Sequence, residues 1–589
     1  MPLQISSISC IRHGVFRRTS AVFGLVLAAG GAGAQPTPSA PQPFIEEQRQ
    51  QDRERALREQ QERAVDVRLP IAPERTAGRL PESEAPCFRI DRLVLEGERA
   101  DDFEWLLRKA AGEQSDDIPI GRCLGTQGVN TVLERLQQAL IARGWVTSRV
   151  LAAPQDLASG TLRLTLVPGR IAAIRFAEGT TDRTSLRTAI PATAGDLLNL
   201  RDIEQGLENL KRLPTAETDI QIEPSQATGA QPGDSDLVVK YSRAARALGP
   251  LRATFSLDDS GTKSTGRTQG GATLAWDGPL GLNDLAYVSV NHDLFNHDAQ
   301  GTSGQTLHYS VPYGDWLLGA TASQSKYHQS VAGLSQDYVY AGETRNAELR
   351  LSRLMYRDKS RKTTVWLRGF RRASNNYIDD TEIEVQRRVV GGWELGANHR
   401  EFIGQATLDA NLQYRRGTGA FGAMPAPEEF FGEGTSRFRL IAADANLNLP
   451  FQIGSQKLRY SALWRAQWNR TPLTPQDRFS IGGRYTVRGF DGESSLMAER
   501  GWLVRNDIGW ALWASGAELY VGVDHGEVGG ASAEYLLGKR LTGGVLGLRG
   551  ALDIPKGLSY DFFVGAPIKK PEGYRTAKTT AGFNLNFTF

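Results

Sequence analysis

Cysteine, histidine and long apolar runs are all scarce in this sequence, and each shortage removes a class of function. The three cysteines, Cys10, Cys87 and Cys123, form no Cys-x-x-Cys pair. No histidine stands between residues 14 and 291, so a catalytic thiol in the N-terminal half has no neighbouring imidazole to activate it. There is no G-x-S-x-G elbow. The nearest approach to a phosphate loop, Gly538-Lys539-Arg540, lacks the Ser or Thr that should follow the lysine, so no nucleotide-driven step is legible. A net charge of +3 is too small to argue for nucleic acid or an acidic substrate. No segment beyond the N-terminus is an unbroken apolar stretch of about 18 residues, which leaves no candidate transmembrane helix.

The N-terminus carries an export signal. Arg12, Arg17 and Arg18 precede an apolar stretch at 21–29, and Ala32-Gly33-Ala34 before Gln35 is a small-residue cleavage pattern. This reads as a signal peptide over 1–34; a membrane anchor would need a longer apolar run. An exported chain without helical spans is either soluble or a β-barrel. With Cys10 removed, Cys87 and Cys123 remain as an even pair in an oxidising compartment. Their expected state is a disulfide, worth roughly 3–4 kcal/mol through loop closure.

Three regimes follow. Residues 44–65, within a 35–65 segment, are crowded with Glu, Gln and Arg and carry i,i+4 pairs at Glu54–Arg58 and Glu59–Arg63. Almost nothing there is apolar, so the segment has no face to bury in a core or in lipid. A solvated tail and a helix both fit. As a helix its roughly 22 residues would be about 33 Å long, close to a membrane's thickness, and a polar rod of that length suits a water-filled lumen. A linker over 66–86 follows, with Pro70, Pro73, Pro81 and Pro86. Residues 87–246 read as two similar α/β modules, 87–168 and 169–246. The first runs from a strand at 88–95 to a helix with Val129, Leu133, Leu136 and Leu140 on one stripe, then strands at 146–151 and 161–167. The second repeats the order, with strands at 171–176, 219–222 and 237–241 and a helix bearing Ile203, Leu207 and Leu210.

The third regime, 247–589, alternates with period two. Ala406, Leu408, Ala410, Leu412 and Tyr414 interleave with polar residues; so do Leu458, Tyr460, Ala462, Trp464, Ala466 and Trp468, with Leu463 out of phase. Runs of about 9–11 residues suit tilted strands crossing a bilayer, apolar side out and polar side toward a lumen. About sixteen such runs can be placed. Short breaks (311–314, 357–360, 450–454, 555–557) take turns with long ones (292–305, 326–342, 417–435, 469–500, 525–539, 567–579), which gives one rim of turns and one of loops. The last strand alternates Phe583, Leu585, Phe587 and Phe589 with polar residues and resembles the C-terminal targeting signal of bacterial outer-membrane proteins. His292-Asp293 and His297-Asp298 fall in an expected surface loop with nothing to complete a ligand set, so no metal or cofactor is expected.

The longest break holds Val487-Arg488-Gly489-Phe490, and a later strand ends in Gly522-Val523-Asp524-His525-Gly526. These resemble the loop motif VRG(Y/F) and the strand motif (F/G)xDxG of the Omp85 superfamily, where the loop folds back into the lumen and its arginine pairs with the strand aspartate. The resemblance implies an Arg488–Asp524 pair. A loop crossing a polar lumen needs such an anchor, and glycines at 489, 522 and 526 permit close backbone approach. Cys87-Phe88-Arg89-Ile90, Cys123-Leu124-Gly125, the run from Arg143 to Arg149, Pro154-Gln155-Asp156-Leu157 and Gly160-Thr161-Leu162 resemble the first POTRA domain of two-partner secretion transporters. The run from Asn199 to Leu207 resembles their second.

That resemblance covers essentially the whole mature chain and implies a plug helix, two POTRA domains and a sixteen-stranded outer-membrane barrel, with the POTRA domains in the periplasm. It implies as partner a large, β-helical exoprotein (TpsA type) with an N-terminal secretion domain. Membrane lipid, and the barrel assembly machinery during biogenesis, are the other expected partners. The alternative within the superfamily is a barrel-assembly insertase, which usually carries three or five POTRA domains. A passive porin would need none, and an outer-membrane enzyme would need a nucleophile that is missing.

Overall fold

The computed structural model describes residues 43–62, 65–70, 78–112, 116–244, 248–295, 300–512, 516–552 and 557–589. The signal-peptide segment and His297-Asp298 lie outside them. The polar segment is an α-helix, Pro43–Gln61, about 28 Å long at 1.5 Å per residue. It stops four residues short of the expected end at Val65, because Val67 and Leu69 are held against the second module.

In the first module the strands Arg92–Gly97, Thr161–Val167 and Arg149–Leu151 form one sheet, with Thr161–Val167 central and its pairing to Arg92–Gly97 parallel. The helix Thr126–Ala142 covers it, with Val132, Leu136 and Leu140 buried. The single strand expected at 88–95 is broken in two. Phe88–Arg89 pairs with Cys123–Leu124, and the disulfide between Cys87 and Cys123 joins these two short strands. The strand expected at 146–151 is only Arg149–Leu151. Sequence periodicity also misses the 3-10 helix Ala100–Ala111, which buries Phe103, Leu106 and Ala110; its tighter turn breaks the 3.6-residue rhythm.

The second module repeats the plan. Ser235–Arg243 lies between Ile171–Phe176 and Ala216–Pro224. The helix Leu200–Lys211 is capped by Asn199, whose side chain accepts from the Arg201 N–H at 2.9 Å, and it buries Ile203, Leu207 and Leu210. This module clamps onto the barrel turns. Asn209 Nδ2 donates to Gly314 O at 2.8 Å, Asn283 Nδ2 to Ser185 O at 2.7 Å, and Thr215 Oγ1 to Asp277 at 2.9 Å.

The remaining chain closes into an antiparallel barrel of sixteen strands, from Leu251–Asp258 to Thr580–Thr588; the two-residue strand Thr381–Glu382 only extends a loop hairpin. First and last strands pair over 254–258 and 584–588. Phe587 stands opposite Phe255, and Phe589 exchanges two 3.1 Å backbone bonds with Ala253. Leu274, Val288, Leu307, Leu349, Leu395, Leu412, Val521 and Val564 all point outward with exposures of 48–57%. An apolar band of this extent on an isolated chain marks a surface that lipid covers. No described helix is long and apolar enough to cross a membrane.

Two expected loops are largely strand instead. Of 292–305, His292 and Asp293 end the strand Leu285–Asp293, and residues 300–305 open the strand Gln300–Tyr313. Most of 326–342 belongs to Trp316–Ala332 and Asp337–Arg357, paired in register from Trp316–Arg353 out to Ala332–Asp337. The polar residues there, Lys326, Gln329 and Asp337 among them, look loop-like but sit on a hairpin of 17 and 21 residues, longer than a bilayer requires.

Candidate functional site

The lumen is filled from two directions. The helix Pro43–Gln61 is held in it by polar contacts with the wall and the inward loop. Glu54 accepts from Ser323 Oγ at 2.7 Å, Arg53 donates to Ser260 Oγ at 3.2 Å, and Arg58 pairs with Glu348 at 2.5 Å. Arg372 lies 3.4 Å from Glu47, while Gln48 and Arg49 donate to the loop carbonyls of Arg478 and Gly492. These partners come mainly from the first seven strands and the loop. Cavities of about 570 and 880 Å3 remain beside the helix; Arg350, Asp409, Asn411 and Asp444 line both, and Arg465 lines the larger one. A helix with almost no apolar face fits here because its surroundings are polar; little hydrophobic burial opposes its removal.

The second obstruction is the loop between Gln456–Asn469 and Arg500–Leu512. Its short hairpin, Phe479–Ile481 with Leu496–Ala498, turns inward. It builds a small core with Val487 and Phe490 against Leu503, Val528, Leu541 and Tyr574 of the barrel. At its tip Arg488 is 4% exposed and Asp524 is fully buried. Arg488 Nε donates to Asp524 Oδ2 at 2.7 Å, Nη2 to Asp524 Oδ1 at 2.8 Å, and its backbone N–H to Asp524 Oδ2 at 2.9 Å. The fork-on-carboxylate geometry fixes direction as well as distance.

A second carboxylate, which the motifs did not indicate, completes the anchor. Asp507 accepts from Arg488 Nη2 at 2.5 Å and Nη1 at 3.3 Å. Arg505 lies 3.7 Å from Asp524, and Arg549 lies 3.5 Å from Asp507. Three arginines therefore share two aspartates. The outward alternation of Trp502, Val504, Ile508 and Trp510 places Arg505 and Asp507 on the lumen face, and that is the signal that would have found them.

Backbone space at the tip comes from glycines. Gly489 adopts φ +90°, and a Cβ there would lie 2.6 Å from Ala566 O. Gly543 stands directly opposite Asp524 in the wall, and a Cβ on it would reach within 1.8 Å of Arg488 O. Gly543 was invisible in the sequence because its role needs the cross-strand register. Gly522 and Gly526 flank Asp524; side chains there would meet Asp507 and Ile481. Among the described residues no group of His, Cys, Asp or Glu is arranged to hold a metal ion.

Three comparisons bear on this geometry. The family model described as haemolysin secretion/activation protein ShlB/FhaC/HecB matches residues 233–550, and two POTRA models match 88–169 and 170–224. The outer membrane transporter CdiB-2 of Burkholderia pseudomallei is 36% identical over 96% of this chain and 98% of its own. The haemolysin transporter protein ShlB of Serratia marcescens is 27% identical over 78% of each chain. Among solved structures, CdiB from Acinetobacter baumannii superposes with a TM-score of 0.80 at 29% identity, covering 94% of this chain and all of that one. Matched over more than half its length by that family's model, and along nearly all of it by a transporter sharing over a third of its residues, the chain belongs to the ShlB/FhaC/HecB haemolysin secretion/activation family.

Proposed function

We propose that this protein is an outer-membrane transporter of the two-partner secretion type, which takes an unfolded exoprotein from the periplasm and passes it through its lumen to the cell surface. The observation that carries the reading is the plug: a helix lying inside a closed barrel through side-chain bonds that can exchange with water or a passing chain. The partner is a large β-helical exoprotein of the TpsA type bearing an N-terminal secretion domain, first met by the two POTRA domains. An exposed strand edge there adds a client strand through backbone hydrogen bonds, without demanding much sequence. Arg488, Asp524 and Asp507 set the resting position of the loop, and the glycines around them let it seat. Without a nucleotide site, folding of the client outside supplies the drive. Lipid covers the outer band, and the last strand, ending in Phe587 and Phe589, is the handle by which the barrel assembly machinery inserts the protein. No enzymatic step is part of this reading. Two POTRA domains also disfavour an insertase.

The test is export itself. Co-expressed with its exoprotein, the intact chain should release it to the cell surface, and a chain lacking residues 87–246 should not. Undiminished export by the shortened chain would refute the proposal.

A further inference from the structure

Between plug helix and POTRA domains, residues 66–69 do not run free. Residues 66–69 lie extended in a cleft whose one wall is the helix Leu200–Lys211 and whose other is the near rim of the barrel. Side chains alternate between the walls. Val67 is buried in the core of the second POTRA domain with Ile171, Ile190 and Leu207, and Leu69 packs against the same cluster. Facing the rim, Asp66 pairs with Arg400 at 2.5 Å, and Arg68 stacks 3.7 Å over the Phe402 ring. The backbone is read too. The Val67 N–H donates to Glu208 Oε1 at 3.1 Å and the Leu69 N–H to Glu204 Oε1 at 2.9 Å. Arg357 donates to Val67 O at 2.5 Å. Glu204 and Glu208, one helical turn apart, match the two-residue repeat of an extended strand. Arg357 also bonds both carboxylates, and Lys362 bonds Glu208.

This is a peptide site occupied by its own chain. Backbone atoms and an apolar-x-apolar pattern are recognised, a pattern that any strand of a β-rich client carries. The cleft is also costly to leave empty. Glu204 and Glu208 are almost wholly buried, and each would lose an N–H donor, while the Val67 pocket would open to water. Release of residues 66–69 is therefore favoured when another extended segment takes their place. Those residues begin five positions beyond the plug helix's end at Gln61.

We propose that this cleft is a client-binding site, and that an extended apolar-x-apolar segment of the exported polypeptide displaces residues 66–69 and so frees the plug helix. The inference rests on the export reading above and adds to it the place where client and plug compete.

The probe is a fluorescein-labelled peptide of residues 65–70 (Val-Asp-Val-Arg-Leu-Pro), titrated against the full-length chain in detergent. A tethered linker competes at an effective concentration of millimolar order, so weakening it should expose the site. Val67→Asp, or Leu69→Asp as a second variant, should bind the peptide at least about tenfold more tightly than the native chain does. Adding Glu204→Gln and Glu208→Gln should abolish that gain, as should Asp at the Val67 and Leu69 positions of the peptide. Heat-modifiable gel migration reports that each barrel is folded. Equal binding to all chains, or binding to none, while the native chain still exports its partner, overturns the cleft inference alone. Failure of the native chain to export its partner overturns the reading beneath it.

Discussion

Replacing Arg488 with alanine should undock the lumen loop while leaving the barrel intact. The guanidinium makes two bonds to Asp524 and two to Asp507, in a site where the arginine is 4% and Asp524 0% exposed. Removing one member of a buried ion pair costs about 3–5 kcal/mol, mostly through the charge left behind. Here two carboxylates are left behind, but Arg505 and Arg549 stand within 3.7 Å of them and take up part of the loss. The lower figure, about 3 kcal/mol, is then the better estimate, equivalent to roughly a hundredfold fall in the docked-to-undocked ratio. Arg488→Lys keeps a charge but loses the fork, so it should fall between. The assay is protease cleavage of the loop in outer-membrane vesicles, read beside secretion of the partner. Native protection and native secretion in Arg488→Ala would mean that the anchor holds nothing that matters for export.

Three further outcomes follow from other residues. Gly543→Ala drives a methyl group into the Arg488 carbonyl, so the loop should lose protection and secretion should fall, although no charge has changed; secretion at the native level would contradict this. Removing residues 43–62 opens the lumen to the cavities beside the helix, and planar-bilayer conductance should rise several-fold; unchanged conductance would mean that the helix does not obstruct ions. In the second POTRA domain, burial first and then the Asp315 and Asp196 carboxylates raise the Asp202 carboxyl to about 7. A folded value above the unfolded one means its contribution to stability is full below about pH 4 and lost as pH rises through about 7. Asp202→Asn should therefore flatten the pH dependence of that domain's resistance to protease between about pH 5 and 8, and a slope identical to the native one would count against it.

The barrel was legible because its rule is local. Lipid outside and water inside force period-two alternation, and runs such as 406–414 show it without any knowledge of neighbours. Residues 326–342 misled for the same reason in reverse: beyond the bilayer nothing demands apolar side chains, so a paired hairpin carries loop composition. The Arg488–Asp524 pair could be named from two motifs 36 positions apart, each with its own glycines. Asp507 and Gly543 could not, since what they do depends on which strand lies beside which. The plug helix was ambiguous in composition because its environment is polar, and only the contacts of Glu54, Arg58 and Glu47 with the wall separate a plug from a tail. The linker cleft left no trace at all. Val67 and Leu69 are unremarkable in a proline-rich stretch until Glu204 and Glu208 are seen opposite them.

Whether a polypeptide crosses through this lumen can be read from a photo-crosslinking residue placed at two adjacent positions. Asn411 lines the lumen cavities, whereas Leu412 points outward and is 57% exposed. With the partner exoprotein arrested partway through secretion, position 411 should yield an adduct with the partner and position 412 should not. Adducts at neither position while secretion proceeds, or at 412 alone, would mean that the partner does not pass through the lumen.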